Sequence, residues 1–341
     1  MTRQATRLLF GALLGVLSII GEARADYNIK ATEAAQSSYV EGDGKCNLVE
    51  AIDSLNQGKT GAGQGLHGCS NTGGGTRIVL EGTGAHYKVP QAGVSIGLSG
   101  MEITSKVANR DFVEGNVDQR VILVQVGKSL TLRGVTIQRT GSFKAQVLNN
   151  QGTLILSNSV VQNGDALLEG GGVFNTGDLR LETNTKVQNN KTGKNGGGIY
   201  TQGSIGVTIQ NSTLSGNQSS FSGAGLYSNG SPVTVIASTV SSNKASSNGG
   251  GIYNASGDLT IDSTTFQSNT AIKNGGGIYS YLGSVSVFGG KLTGAHTAAN
   301  GGAIFITSDE TAGYVNLNAT TVEGATVSGD GGGIYTQGYQ N

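Results

Sequence analysis

From about residue 154 to its end, the chain alternates short apolar runs with stretches rich in Gly, Ser, Thr and Asn. The most regular run reads small-small-small, aliphatic, aromatic. It appears as Gly170-Gly171-Gly172-Val173-Phe174 and returns as Gly196-Gly197-Gly198-Ile199-Tyr200 and Gly223-Ala224-Gly225-Leu226-Tyr227. Gly249-Gly250-Gly251-Ile252-Tyr253, Gly275-Gly276-Gly277-Ile278-Tyr279, Gly301-Gly302-Ala303-Ile304-Phe305 and Gly331-Gly332-Gly333-Ile334-Tyr335 complete the series. Successive aliphatic members are 26, 27, 26, 26, 26 and 30 residues apart. Self-similarity at a fixed period of this size is the signature of a solenoid.

Two more short strands are predicted inside each period. One is an apolar-x-apolar triplet: Leu154-Ile155-Leu156, Leu179-Arg180-Leu181, Val207-Thr208-Ile209 and their successors through Val315-Asn316-Leu317. Its period of two is that of a half-buried strand. The other centres on Val160, Val187, Leu214, Val240, Phe266, Leu292 and Val322. Three residues later stand Asn163, Asn190, Asn217, Asn243 and Asn269, then Ala295 and Ala325. None of these strands is long enough to form a sheet within its own period. Stacking coil on coil pairs each strand with its copies above and below. The expectation is therefore an all-β fold, a right-handed parallel β-helix with three short strands and about 26 residues per coil. The Asn column is expected to occupy left-handed turns and to hydrogen-bond along the stack.

The N-terminal part breaks this pattern. Leu8 to Ile20 is an apolar run behind Arg3 and Arg7, and Ala23-Arg24-Ala25 is a small-x-small cleavage site. Residues 1–25 are thus predicted to be a secretory signal peptide, with no transmembrane segment left after cleavage. Residues 26–75 are expected to form a cap segment and residues 76–341 the β-helix, truncated or uncapped where it stops at Tyr339-Gln340-Asn341. Within the cap segment, Asn47 and Glu50 suit a capping box, Leu48, Ile52 and Leu55 have helical spacing, and Gly58 can end the helix. Such a helix would cover the apolar end of the solenoid.

Composition narrows the function. Without the signal the chain carries 19 basic and 21 acidic side chains, so nucleic-acid binding lacks its electrostatic support. With 58 Gly but 2 Pro, it is not collagen-like. Cys46 and Cys69 are the only cysteines. In an exported chain they most simply form one disulfide, the alternatives being free thiols or a partial metal site.

Cys46-Asn47-Leu48-Val49-Glu50-Ala51-Ile52 resembles the Cys-Ser-Leu-Arg-Glu-Ala motif that opens many bacterial exported β-helix proteins, with Asn for Ser and Val for Arg. Phe266-Gln267-Ser268-Asn269 followed by Gly275-Gly276-Gly277-Ile278 is similar to the FxxN and GG[AI] repeats of chlamydial polymorphic outer membrane proteins. That resemblance covers about residues 154–335 and implies a cell-surface or adhesin-like protein, with no catalytic residues to carry over. The C-terminal β-barrel translocator of those proteins has no counterpart in the 341 residues.

Side chains that could carry chemistry are sparse. Glycoside hydrolysis needs two carboxyl groups roughly 5–9.5 Å apart. Glu182 and Asp262 share a column, as do Asp178 and Asp258, but each pair spans three coils, about 14 Å. Asp309 with Asp330 is the cross-column alternative. The histidines, His67, His86 and His296, form no metal triad and read as loop residues. Gly63-Gln64-Gly65-Leu66-His67-Gly68 fits G-x-G-x-x-G but has no strand before it, and Gly58-Lys59-Thr60 lacks the leading glycine of a P-loop. No cofactor or metal site is expected. What remains is the aromatic column: Phe174, Tyr200, Tyr227, Tyr253, Tyr279, Phe305 and Tyr335 should face outward if their aliphatic neighbours face inward. It is either a sheet-stabilising stack or a platform for surface glycans or cell-surface proteins. The reading is a secreted or surface-displayed, non-enzymatic, adhesin-like scaffold. The alternatives are a polysaccharide lyase or glycoside hydrolase, and an inert structural surface protein.

Overall fold

The computed structural model describes residues 26–29, 46–61, 69, 75–82, 84–108, 111–293, 299–308 and 313–338. The signal-peptide segment, His67, His296, Asp309 and the G-x-G-x-x-G stretch of residues 63–68 lie outside them.

The chain is a parallel β-helix. Among the described residues, sheet A has 11 strands, running from Asp26–Ile29 and Arg77–Leu80 at one end to Val315–Asn318 at the other. Sheet B has 10, from His86–Lys88 to Thr321–Val322, and sheet C has 10, from Val94–Ile96 to Ile334–Gly338. Each repeat coil visits C, A and B in turn. A fourth sheet, D, was not expected: five two-residue strands, from Asp165–Ala166 to Thr270–Ala271, lie between B and the next C strand. Runs such as Lys191-Thr192 and Gln218-Ser219 have no apolar alternation, so nothing in the hydrophobic pattern marked them.

The predicted registers hold in sheets A and C. Leu154, Leu179, Val207, Val233, Leu259, Val285 and Val315 are successive partners in sheet A. In sheet C, Val173, Ile199, Leu226, Ile252, Ile278, Ile304 and Ile334 are partners. All but Ile334 of this second column are fully buried, and Ile334 packs against the same core. In sheet B the expected register is off by one at its first repeat. Val161, not Val160, is the partner of Val187 and faces the core. Two adjacent valines satisfy either phase of a period-two pattern, and only the pairing chooses between them.

That slip also corrects the Asn column. Gly164, not Asn163, is level with Asn190, because Val161 pairs with Val187 and Gln162 with Gln188. Asn163 is exposed with φ 60° and reaches Gln138 instead. The ladder consists of Asn190, Asn217, Asn243 and Asn269, all fully buried. Their side chains are linked Nδ2 to Oδ1 at 3.1, 3.0 and 2.9 Å. Each Nδ2 also donates to a main-chain carbonyl: Val161, Val187, Leu214 and Val240 in order. The ladder asparagines are not themselves in left-handed turns. The residue before each one is: Asn189, Gly216, Ser242 and Ser268 all have φ between 54° and 65°. This turn aims the next side chain inward, where the amide finds partners on both neighbouring coils.

Two further buried ladders went unnoticed in the sequence because their members vary. Asn150 donates to Asn175 at 2.7 Å and Asn175 to Thr201 at 3.1 Å, at the corner after sheet C. Ser212, Ser238 and Thr264 follow one another at the corner before sheet B, each backbone N–H donating to the next hydroxyl at 3.1 and 3.2 Å. These corners satisfy polar backbone that the solenoid interior hides from water.

Spacing along the coil is uneven in an informative way. Val187 to Ile199, Leu214 to Leu226, Val240 to Ile252, Phe266 to Ile278, Leu292 to Ile304 and Val322 to Ile334 are each 12 residues. From sheet C to sheet A the step varies: 6 residues from Val173 to Leu179, 8 from Ile199 to Val207, 11 from Ile304 to Val315. From Val187–Ile199 to Phe266–Ile278 the fixed tract contains the ladder asparagine, a sheet D strand and the glycine run, each locked to neighbouring coils. The last two tracts keep the length and the glycine run, with Ala295 and Ala325 in the asparagine's place.

At the N-terminal end, helix α1 spans Leu48–Asn56 and closes the first coils. The capping box forms as predicted, with Asn47 N–H donating to Glu50 Oε2 at 2.9 Å and Glu50 N–H to Asn47 Oδ1 at 3.1 Å. Gly58 follows with φ 76°. Leu48, Ile52 and Leu55 are buried in the same core as the strands. Asn56 fastens the helix to sheet C, donating to Ser95 O at 2.8 Å and accepting from Gly97 N–H at 2.7 Å. Cys46 and Cys69 form the disulfide, with Cα atoms 4.5 Å apart. The bridge closes a loop of 23 residues, so Cys46→Ser with Cys69→Ser is expected to destabilise the cap by about 3 kcal/mol. Hydrogen exchange should show the loss in α1 while coils beyond Leu154 keep their protection.

Candidate binding surface

Register in sheet C brings the seven aromatic residues into one column, since Phe174 pairs with Tyr200, Tyr200 with Tyr227, and so on to Tyr335. Their rings stack nearly parallel. Centroids are 5.5, 5.3, 4.6, 4.9, 5.1 and 5.0 Å apart from Phe174 to Tyr335. The coil rise of about 4.8 Å is close to an aromatic stacking distance, so a ring at a fixed repeat position stacks without rearrangement.

The column is on the outer side of sheet C, yet much of it is covered. Tyr200, Tyr279 and Phe305 are 7%, 8% and 2% exposed, and the other four rings are partly exposed. Each ring face is taken up by the next ring, and the first glycine of each run folds back on the same side. An ideal Cβ on Gly196 would lie 2.7 Å from Tyr200 Cβ, and one on Gly223 would lie 2.7 Å from Tyr227 Cβ. The surface therefore presents ring edges and hydroxyls rather than open faces. The Tyr200 hydroxyl donates to Gln202 Oε1 at 2.9 Å. Burial pushes the Tyr200 and Tyr227 phenols above their ordinary value, and Tyr253, between Tyr227 and Tyr279, is pushed further. These hydroxyls remain protonated donors at neutral pH.

The acidic pairs that lie within the described residues do not converge. Pairing confirms that Asp178 and Asp258, like Glu182 and Asp262, lie three coils apart in one column. Asp178 is instead held by Arg180 at 2.8 Å. Among the described residues no three His, Cys, Asp or Glu side chains are grouped to hold a metal ion. His86 is not a loop residue. It starts the strand His86–Lys88, stacks on Phe112 at 4.4 Å, and places Nδ1 2.9 Å from Glu114 Oε1. Glu114 in turn accepts from Gln138, which accepts from Gln162, which accepts from Gln188, forming an external polar ladder.

The sequence also gave no sign of an ion cluster at the start of sheet D. Asp165 is paired with Lys144 and, at 3.2 Å, with Lys191. Burial pushes the Asp165 carboxyl up, but the hydrogen bonds and charges of the two lysines outweigh it and hold it below the usual carboxylate value. Arg139 nearby is 5% exposed, and its Nε and one Nη have no hydrogen-bond partner. Lys144, Asp165 and Lys191 lie in successive coils, so only the register brings them together.

Fold and surface together define a β-helix repeat protein whose conspicuous outer feature is a stacked aromatic column. Its repeats are similar to those of a known family: residues 184–202, 237–255 and 263–281 match the Chlamydia polymorphic membrane protein repeat. Each matched segment begins in a left-handed turn, at Asn184, Ala237 or Ser263, and ends in the sheet C strand. The unit matched is thus the fixed tract of the coil with its flanks. No curated protein and no solved structure matches the chain. No helix among the described residues is long and apolar enough to cross a membrane.

Proposed function

We propose that this chain is a non-enzymatic, adhesin-like scaffold, exported through a cleaved signal at residues 1–25 and displayed at the cell surface or secreted, with the sheet C column as its partner-facing stripe. The observation that carries this reading is the unbroken stack of seven rings on the outer side of a regular solenoid. A rigid row of ring edges and phenolic donors suits a glycan chain or an extended protein segment lying along the solenoid axis. The similarity to polymorphic membrane protein repeats supports surface display. The three-coil separation of the paired acids argues against the polysaccharide-cleaving alternative.

Replacing Tyr200, Tyr227, Tyr253 and Tyr279 together by Ser tests the stripe. Each lost ring should weaken stacking by about 0.5–1 kcal/mol, so folding must be followed by circular dichroism alongside binding. Cell or glycan binding is expected to fall at least tenfold, at roughly 1.4 kcal/mol per decade, in a variant that keeps its β signal. The four Tyr→Phe replacements keep the stack and remove only hydroxyls, so a matching loss there assigns recognition to the phenols. Unchanged binding in both folded variants would move the adhesive surface elsewhere. A wild-type protein that binds no cell, glycan or surface protein would favour an inert structural role.

A further inference from the structure

The side of the solenoid formed by sheet D and the turn after it carries a mixture of side chains unlike the rest of the surface. Its columns follow from the register. Asp165, Lys191, Gln218 and Lys244 are level in sheet D. In the turn beyond, Phe221 N–H donates to Lys194 O, Ser247 N–H to Phe221 O and Lys273 N–H to Ser247 O, which stacks Lys194, Phe221, Ser247 and Lys273. Gly193, Ser220, Ser246 and Ile272 are linked through the preceding sheet D residues in the same way, with Leu167 at the head of that column.

Lys144, Lys191, Lys194, Lys244 and Lys273 stand on this face against Asp165 and Glu169, a net charge of +3. The buried Arg139 beside Asp165 adds to the positive field. Lys144, Lys191 and Lys194 are engaged with the two acids, whereas Lys244 and Lys273 make no ion pair among the described residues. The outward side of sheet A, separated from this face by sheets B and C, carries the opposite sign. There Glu102, Asp178, Glu182, Asp258 and Asp262 outnumber Arg77, Arg133 and Arg180.

Interleaved with the lysines are exposed apolar side chains. Phe143, Leu167, Leu168, Phe221 and Ile272 are 41%, 67%, 57%, 55% and 65% exposed. Leu167 lines one shallow groove with Lys144, Lys191 and Lys244. Ammonium groups spaced among unpartnered Leu, Ile and Phe are what an anionic bilayer surface selects. The charges meet headgroup phosphates and the apolar tips enter the boundary beneath them. From Lys144 to Lys273 the face runs about five coils, roughly 24 Å, long enough to engage several headgroups.

We propose that this face docks the solenoid side-on against an anionic lipid surface, with Lys244 and Lys273 meeting headgroups and Leu167, Leu168, Phe221 and Ile272 inserting between them. A soluble acidic polysaccharide would use the lysines but leave the aliphatic residues without a role. The docking face adjoins the aromatic column at Glu169, whose charge reaches the Tyr200 and Tyr227 phenols, but none of the residues that would meet the lipid belongs to the column.

The test is co-sedimentation of the folded protein with vesicles of mixed phosphatidylcholine and phosphatidylglycerol, compared with phosphatidylcholine alone. The wild type is expected to bind only the anionic vesicles. Lys244→Gln with Lys273→Gln should reduce partitioning about 25-fold, at roughly fivefold per lysine near an anionic surface. Leu167→Ser with Ile272→Ser, at unchanged charge, should reduce it at least tenfold. All four positions are exposed, and circular dichroism of each variant checks the fold. The Tyr→Phe quartet of the aromatic column should leave vesicle binding unchanged, which separates the two readings. Equal affinity for neutral and anionic vesicles, or no affinity for either, would overturn the proposal. If the apolar variant partitions like wild type while the lysine variant loses dextran sulfate binding, the face is one for acidic polysaccharide. A wild-type dimer that the lysine variant converts to monomer would assign it to a second copy of the chain.

Discussion

Gly249→Ala is expected to destabilise the central coils by about 3 kcal/mol, seen as a lower urea midpoint and as lost amide protection across residues 226–278. Gly249 has φ 63°, in the left-handed region that costs other residues about 1–2 kcal/mol. An added Cβ would also lie 2.6 Å from Ile252 O and 2.9 Å from Tyr253 Cα, main-chain atoms that cannot rotate aside. The first place is glycine in all seven runs, at 170, 196, 223, 249, 275, 301 and 331, whereas the second admits Ala224 and the third Ala303. Gly250→Ala is therefore expected to be milder. Its Cβ would meet Thr270 O at 2.3 Å, but the buried Ala224 shows that a coil can shift to hold a methyl at this place. A larger loss for Gly250→Ala than for Gly249→Ala would mean that crowding between coils, rather than the left-handed turn, sets the demand for glycine.

Asn243→Ala should have a similar or larger effect, about 4 kcal/mol. The change removes the acceptor of Asn217 N–H and Asn217 Nδ2, both at 3.0 Å, and the donor that reaches Leu214 O at 3.0 Å. Each buried polar group left without a partner costs about 1–3 kcal/mol. Asn243→Asp does not rescue it, because a carboxylate cannot donate to Asn269 or Leu214 and would be buried charged. Asn163→Gly, at an exposed position outside the ladder whose φ of 60° glycine also adopts, is expected to change stability by less than about 0.5 kcal/mol. Equilibrium denaturation of the three variants checks the contrast. Equal small effects would show that the ladder is not a major source of stability.

Features that depend on one repeat position at a time were legible in the sequence. The inward aliphatic column, the aromatic column and the capped helix each recur or signal themselves by residue type, and chain spacing alone placed them. The errors arose where two phases of the pattern were equally good, as at Val160 and Val161, and the misplaced Asn163 followed from that choice. Sheet D escaped because its strands are two residues long and polar. The Ser/Thr/Asn corner ladders escaped because hydroxyls and amides substitute for one another along a column, which hides the repeat. The Asp165 cluster and the lysine-rich face were invisible for another reason. Their members lie tens of residues apart, and only the register brings them level.

The contrast between the fixed 12-residue tract and the variable step from sheet C to sheet A determines how such a protein can change size. An insertion within the fixed tract would throw Asn, glycine and aromatic out of line with both neighbouring coils. One in the variable step leaves the pairing intact: Ile304 and Val315 stand 11 positions apart in the chain, and both still pair with the preceding coil. Loss or duplication of a whole period is gentler still, because the ends it brings together already have matching partners. A chain whose periods differ in most residues but share their pairing positions can therefore gain or lose one and still specify a folded product. Reach from one end of the molecule to the other is then set by copy number, independently of the chemistry on any face.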